Sequence, residues 1–84
     1  VDIDWEFPGY ADHNGTPADK ENFTLLMQDI RTAIDAHGKT INRRYLVTAA
    51  FATYDDANNM IEWDKIIKIL DYCNMMCYDL YGAW

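Results

Sequence analysis

The first six residues alternate without exception: Val1, Ile3 and Trp5 are apolar, and Asp2, Asp4 and Glu6 lie between them. A period of two carried by β-branched and aromatic residues predicts a strand over 1–6, with its three acids on one face. Phe7-Pro8-Gly9 ends it, because proline cannot donate to a ladder and glycine permits the turn. A polar loop containing Asn14-Gly15 follows. Thr16-Pro17-Ala18-Asp19 reads as a helix start, with Thr16 at the N-cap, Pro17 at the first helical position and an acid at the third. Phe23, Leu26, Met27, Ile30, Ala33 and Ile34 then recur at three-and-four spacing as one apolar stripe, and Gly38 supplies the expected stop.

The second half repeats the alternation of element types. Tyr45 to Ala52 is almost wholly apolar and bounded by polar stretches, the pattern of a strand buried on both faces. Residues 53–59 read as loop. Trp63, Ile66, Ile67 and Leu70 make a shorter amphipathic helix. Tyr72 to Leu80 reads as a third buried strand, ended by Gly82. The order β-α-β-α-β calls for parallel strands with helices outside. Three parallel strands with two unpaired apolar edges make a poor independent fold. The expected architecture is therefore an α/β segment, residues 1–84, of a larger domain, with a (β/α)8 barrel of about 250 residues as the natural candidate.

Composition narrows the partners. Half of the 84 residues are apolar and 14% aromatic, as in a packed globular protein. A formal net charge of −7 with only seven basic residues argues against nucleic acid or an anionic membrane surface as partner. No apolar run approaches the ~18 residues of a membrane-spanning helix. Cys73 and Cys77, if on a strand, lie about 13 Å apart, beyond disulfide reach, and read as buried free thiols.

The acidic face carries the chemistry. On a strand Asp2, Asp4 and Glu6 point to one side, each about 6.7 Å from the next. Like charges stacked on one face repel, so a merely wetted face more often mixes in Lys, Thr or Ser. Inside a barrel such carboxylates lose hydration and feel one another, and both effects raise pKa values. Glu6 stands at the strand's C-terminal end, where barrel active sites lie. Kept protonated beside Asp4, it suits a general acid, with Asp2 deeper and sharing a proton with Asp4. The competing chemistry is a divalent-metal site of the Asp-x-Asp kind. It requires ligands converging on one point at about 2.1 Å, which successive same-face residues of a straight strand do not do. No Gly-rich phosphate loop accompanies it, so neither a metal nor a cofactor is expected.

VDIDWEFPG resembles the signature of the family 18 glycoside hydrolases, the chitinases, which reads Asp-x-x-Asp-x-Asp-x-Glu at the end of barrel strand four. Asp2, Asp4 and Glu6 match its last three acids, Trp5 and Pro8 sit as the family has them, and the first Asp falls two positions before Val1. PADKENFTLLMQDIR, residues 17–31, looks like the following helix, and MCYDLYGAW, residues 76–84, is similar to the strand-six motif Met-x-Tyr-Asp. The resemblance implies strands four to six of the catalytic barrel. It also implies retaining hydrolysis of β-1,4-linked N-acetylglucosamine polymers without a protein nucleophile, an exception to the two-carboxylate scheme. Glu6 then protonates the glycosidic oxygen while the substrate's own acetamido oxygen attacks C1, giving an oxazolinium ion. Asp4 orients the acetamido N–H and balances the charge, and Asp2 tunes Asp4. Tyr78 matches the tyrosine that holds the acetamido oxygen, Asp79 the acid beside the catalytic Glu, and Met76 the floor of the −1 subsite.

Strands two steps apart are separated by about 9.6 Å, a gap that a sugar ring fits. The partner implied is chitin or an N-acetylglucosamine oligosaccharide, with the protein monomeric and secreted. Two other readings stay open: a chitinase-like lectin, against which Glu6 stands, and an endo-β-N-acetylglucosaminidase acting on N-glycans. Tyr10, Tyr54, Tyr81 and Trp84 lie near strand ends and read first as packing or surface, with stacking against sugar subsites as the second reading; His13 and His37 read as loop and helix-end residues, and Trp5 and Trp63 as core. Asn14-Gly15-Thr16 is a loop glycosylation sequon; Asn22-Phe23-Thr24 is one inside a helix.

Overall fold

A computed structural model describes residues 1–83; Trp84 lies outside the described residues. Three strands, β1 (Asp2–Ile3), β2 (Thr48–Ala52) and β3 (Tyr72–Met76), form one sheet in the order β1-β2-β3, and both pairings are parallel. The helices are α1 (Asp19–Thr40), the single turn α2 (Asp55–Asn58) and α3 (Trp63–Ile69), and a 3-10 turn covers Ala11–His13. The parallel β-α-β-α-β order expected from the pattern is the one observed.

One face of the sheet carries the core. Val47, Ala49 and Phe51 alternate along β2 and are buried under Phe23 and Met27 of α1 and Ile66 and Ile69 of α3. Both long helices thus lie on the same side of the sheet. The opposite face carries Thr48, Ala50 and Ala52 on β2, with Asp2 on β1 and Asn74 and Met76 on β3. This division, apolar under the helices and polar or small on the other side, is that of an outer and an inner barrel face.

Several boundaries differ from the expectation. The ladder of β1 ends at Ile3 rather than Glu6, because the chain bends into a turn closed by Tyr10 N donating to Phe7 O at 3.1 Å. The alternation nevertheless persists: Asp2, Asp4 and Glu6 are exposed, and Ile3, Trp5 and Phe7 are partly buried. Trp5 and Trp63 flank the core rather than fill it; Trp5 meets Phe23 edge-on at 5.9 Å and Trp63 lies 4.7 Å from Phe51. Strand β3 stops at Met76, not Leu80, and Asp79 takes a left-handed φ of 55°. The expected loop 53–59 contains α2. Cys73 is partly buried and Cys77 exposed; both are free thiols, so Cys77 is not the buried group expected.

Helix α1 begins three residues after its predicted cap. Residues 16–18 form a turn instead, and the Asp19 carboxylate reaches back to accept from Thr16 N at 3.0 Å and from Gly9 N at 2.9 Å. These two backbone donors hold the Asp19 carboxyl below its ordinary pKa and tie the loop after β1 to the start of α1. Gly38 is inside the helix, not past its end. Its carbonyl accepts from Arg43 N at 2.9 Å, and the returning chain passes so close that a Cβ would lie 2.2 Å from Arg43 O. The glycine marks a close approach of backbones rather than a terminator.

The N-terminal end of the sheet is fixed by charge. Asp71, with a side chain 9% exposed, accepts from Val47 N at 2.8 Å and from Arg31 at 3.0 Å, and also pairs with Arg44. Arg31 donates in turn to Tyr45 O at 3.0 Å. The backbone donor of Val47, followed by the two guanidinium groups, holds the Asp71 carboxyl below its usual range. One buried carboxylate therefore joins α1 to the starts of β2 and β3, on the side away from the acids of β1.

Candidate active site

All three strands end on the same rim, and a cavity of about 370 Å³ opens there. Glu6, Phe7 and Tyr10 come from the turn after β1; Ala52, Thr53 and Tyr54 come from the end of β2; Met76, Tyr78 and Asp79 come from the end of β3. Parallel strands make this convergence inevitable, since every strand's C-terminus points the same way. The small inner-face residues Ala50 and Ala52 of β2 separate the acids of β1 from the Met76 side, leaving room between the two walls.

Glu6 is the centre of the electrostatics. Loss of hydration raises its pKa first, followed by the hydrogen bond and charge of the Asp4 carboxyl and the charge of Asp79; His13 opposes them. A raised carboxyl pKa keeps the acid protonated further toward neutral pH. The His13 ring nitrogen Nδ1 lies 2.9 Å from Glu6 O, which pins the backbone at the acid, and the His13 ring stacks edge-on against Tyr10 at 4.9 Å. The peptide between Glu6 and Phe7 is cis. Below the rim, Asp2 Oδ1 accepts from Thr48 Oγ1 at 2.6 Å and from Asn74 Nδ2 at 3.2 Å.

Of the residues singled out by sequence, Glu6, Met76, Tyr78 and Asp79 line one cavity, the Asp4 carboxyl raises the Glu6 pKa, and Asp2 sits deeper on the same face. Thr53 and His13 were not anticipated, and Tyr10 and Tyr54 take the subsite-lining place that was their second reading. Tyr10 and Tyr54 flank Phe7 edge-on at 6.4 and 5.7 Å and line the cavity. Thr53 donates to Met76 O at 3.4 Å, and His13 holds the Glu6 carbonyl. Burial, then neighbouring Tyr10, Asp56 and Glu6, raises the Tyr54 pKa, so its phenol stays neutral. The position of Tyr54 straight after the apolar run of β2 was the available signal. Among the described residues no cluster of three or more His, Cys, Asp or Glu is arranged to hold a metal ion.

A carboxylic acid at the C-terminal rim of parallel strands, with every long helix on the far face, is the layout of one sector of a (β/α)8-barrel enzyme. Comparison with known proteins places it further. The family model for glycosyl hydrolases family 18 matches residues 1–84. Chitinase A1 of Niallia circulans is 44% identical over 90 residues, covering all of this chain and 12% of that protein. Chitotriosidase-1 of Mus musculus is 38% identical, covering 99% of the chain and 18% of its own length. Among solved structures, chitinase ChiA74 from Bacillus thuringiensis superposes with a TM-score of 0.94 at 41% identity, over the whole chain and 14% of that protein. The chain belongs to the glycosyl hydrolases family 18. It spans less than a fifth of the length of each of these three proteins.

Proposed function

We propose that this chain is the acid-bearing sector, strands four to six, of a chitinase-type catalytic barrel that cleaves β-1,4-linked N-acetylglucosamine polymers outside the cell. The observation that carries the reading is the meeting of Glu6 with Met76, Tyr78 and Asp79 around one cavity of about 370 Å³. That volume falls in the range of small-molecule sites and accommodates a sugar ring. A tobacco class V chitinase solved in complex with NAG4 shares the fold at a TM-score of 0.77 and 31% identity, which supports an oligosaccharide of this class as the ligand.

In this reading Glu6, its pKa raised by loss of hydration and by the Asp4 carboxyl, donates its proton to the glycosidic oxygen. The substrate's acetamido oxygen attacks C1 as the bond to the leaving sugar breaks, forming an oxazolinium ion and leaving Glu6 as carboxylate. Asp4 faces the acetamido N–H and offsets the positive charge. Tyr78 holds the acetamido oxygen in place. Water then attacks C1 and breaks its bond to the acetamido oxygen while passing a proton to Glu6, so the acid and the acetamido group are restored and two inversions at C1 retain the anomeric configuration. The tethered nucleophile has a high effective concentration, so positioning supplies much of the rate.

The test is Glu6→Gln in the intact catalytic domain, assayed on chitin oligosaccharides. Hydrolysis is expected to fall by at least about 10², the contribution of a general acid, with oligosaccharide binding retained. Unchanged turnover in Glu6→Gln would remove Glu6 from the mechanism. Parallel assays on high-mannose glycopeptides separate this reading from an endo-β-N-acetylglucosaminidase, and binding without turnover in the wild type identifies a lectin.

A further inference from the structure

The deepest acid of the series is not free to turn. Thr48, 4% exposed, stands opposite Asp2 in the β1–β2 register. Its hydroxyl has one hydrogen and two acceptors in reach, Asp2 Oδ1 at 2.6 Å and Val1 O at 3.5 Å, and the shorter contact takes it. Asn74 comes from β3, two strands away, and its amide reaches the same carboxylate oxygen at 3.2 Å. It can do so because the β2 residue paired with Asn74 is Ala50, whose single methyl leaves the path across the inner face open. Two donors from two strands therefore converge on one oxygen, Asp2 Oδ1, and Oδ2 takes no hydrogen bond among the described residues.

We infer that Thr48 and Asn74 are positioning residues, a strap across all three strands that fixes the rotamer of Asp2 and reserves its Oδ2 for Asp4. The inference rests on the proposed glycosidase reading, in which Asp2 acts on Asp4. Neither Thr48 nor Asn74 lines the cavity. Their loss therefore acts through the acid pair and not on sugar contacts. An unstrapped Asp2 turns away for part of the time, and each turn removes Asp4's partner without changing how the substrate seats.

The experiment uses the intact catalytic domain with Thr48→Val, Thr48→Ser and Asn74→Ala, each assayed on a soluble N-acetylglucosamine oligomer and each crystallised. Thr48→Val is expected to lower kcat about tenfold, the worth of one hydrogen bond to a charged group, with KM unchanged. Thr48→Ser keeps the hydroxyl and is expected to restore wild-type kcat. Asn74→Ala is expected to give a smaller fall in kcat. Wild-type kcat in Thr48→Val, an equal loss in Thr48→Ser, or a change confined to KM overturns the inference. If Thr48→Val does not fold, Asn74→Ala decides by the same criterion, since Asn74 is exposed and its truncation leaves the core intact. If the wild type hydrolyses no oligomer, the glycosidase reading fails by itself. The crystals then decide separately: an Asp2 side chain with the same rotamer in the variants as in the wild type overturns the strap.

Discussion

At the level of single residues, the acids of the opening strand differ in what holds them, and the proposed mechanism gives them different tasks. Asp2 is bound by Thr48 and Asn74, whereas Glu6 meets Asp4, Asp79 and His13 at the rim. In the proposed mechanism only a protonated Glu6 can donate to a leaving sugar, so activity is expected below the pKa of Glu6 and is expected to fall as pH rises through it. Poor hydration and Asp4 both raise that pKa, and His13 lowers it. Replacing Asp4 by Asn removes a like charge, so the basic limb of the kcat/KM profile is expected to move to lower pH. His13→Gln removes the opposing cation and is expected to move the limb to higher pH. A 13C titration of Glu6 checks both directions without relying on turnover; shifts of the same sign in the two variants would contradict this account. The alternation made Asp2, Asp4, Glu6, Met76 and Tyr78 legible in the sequence, because period two fixes a face whatever the rest of the fold does. His13 and Thr53 were not legible. Their roles depend on how loops return over the rim, and no local spacing encodes that.

At the level of elements, the patterns identified each long segment but misplaced what ends them. The stripe of α1 did find the core through Phe23 and Met27, yet Leu26 is 41% exposed and Leu25 54%. On α3, Ile66 is buried while Ile67 is 62% exposed. A helix in this fold meets the sheet along a narrow line, so shoulder positions depend on neighbouring helices that spacing cannot supply. Gly38 is the clearest misreading. Glycine near a helix end usually marks a left-handed cap, but here it admits the backbone of Arg43. The distinction has a measurable consequence. By intrinsic propensity Gly38→Ala should favour the helix by about 1 kcal/mol. The close approach instead forces two backbone segments apart, a strain of about 1–3 kcal/mol. The expected outcome in the intact domain is a lower melting temperature for Gly38→Ala. A higher one would return Gly38 to the role of an ordinary helix residue.

For the whole molecule, the sheet is finished on one face and open on the other. Helices α1 and α3 bury Val47, Ala49 and Phe51, while on the opposite face Asp2 and Asn74 stay exposed. The edges are open too: Tyr72, Met75 and Tyr78 on and beyond β3 are 54%, 47% and 64% exposed, and Leu80 and Tyr81 more so. Exposed strand edges bearing large apolar groups favour pairing with other chains, and three parallel strands bury too little to offset the ordering of the backbone. The isolated 84 residues are therefore expected to show no cooperative thermal transition, to aggregate at micromolar concentration, and to hydrolyse no chitin oligosaccharide. Calorimetry and a reducing-end assay on the purified segment check this directly. Measurable turnover with a sharp melt would mean that three strands and two helices suffice to desolvate Glu6, and that the remaining barrel acts only in substrate selection. The electrostatics argue the other way. Glu6 is exposed in this segment although poor hydration is already the leading cause of its raised pKa, and closing the inner face with further strands strengthens that same cause. In the proposed mechanism the acidity of Glu6 therefore depends on barrel closure, and its titration is expected to move to higher pH in the intact domain relative to the segment.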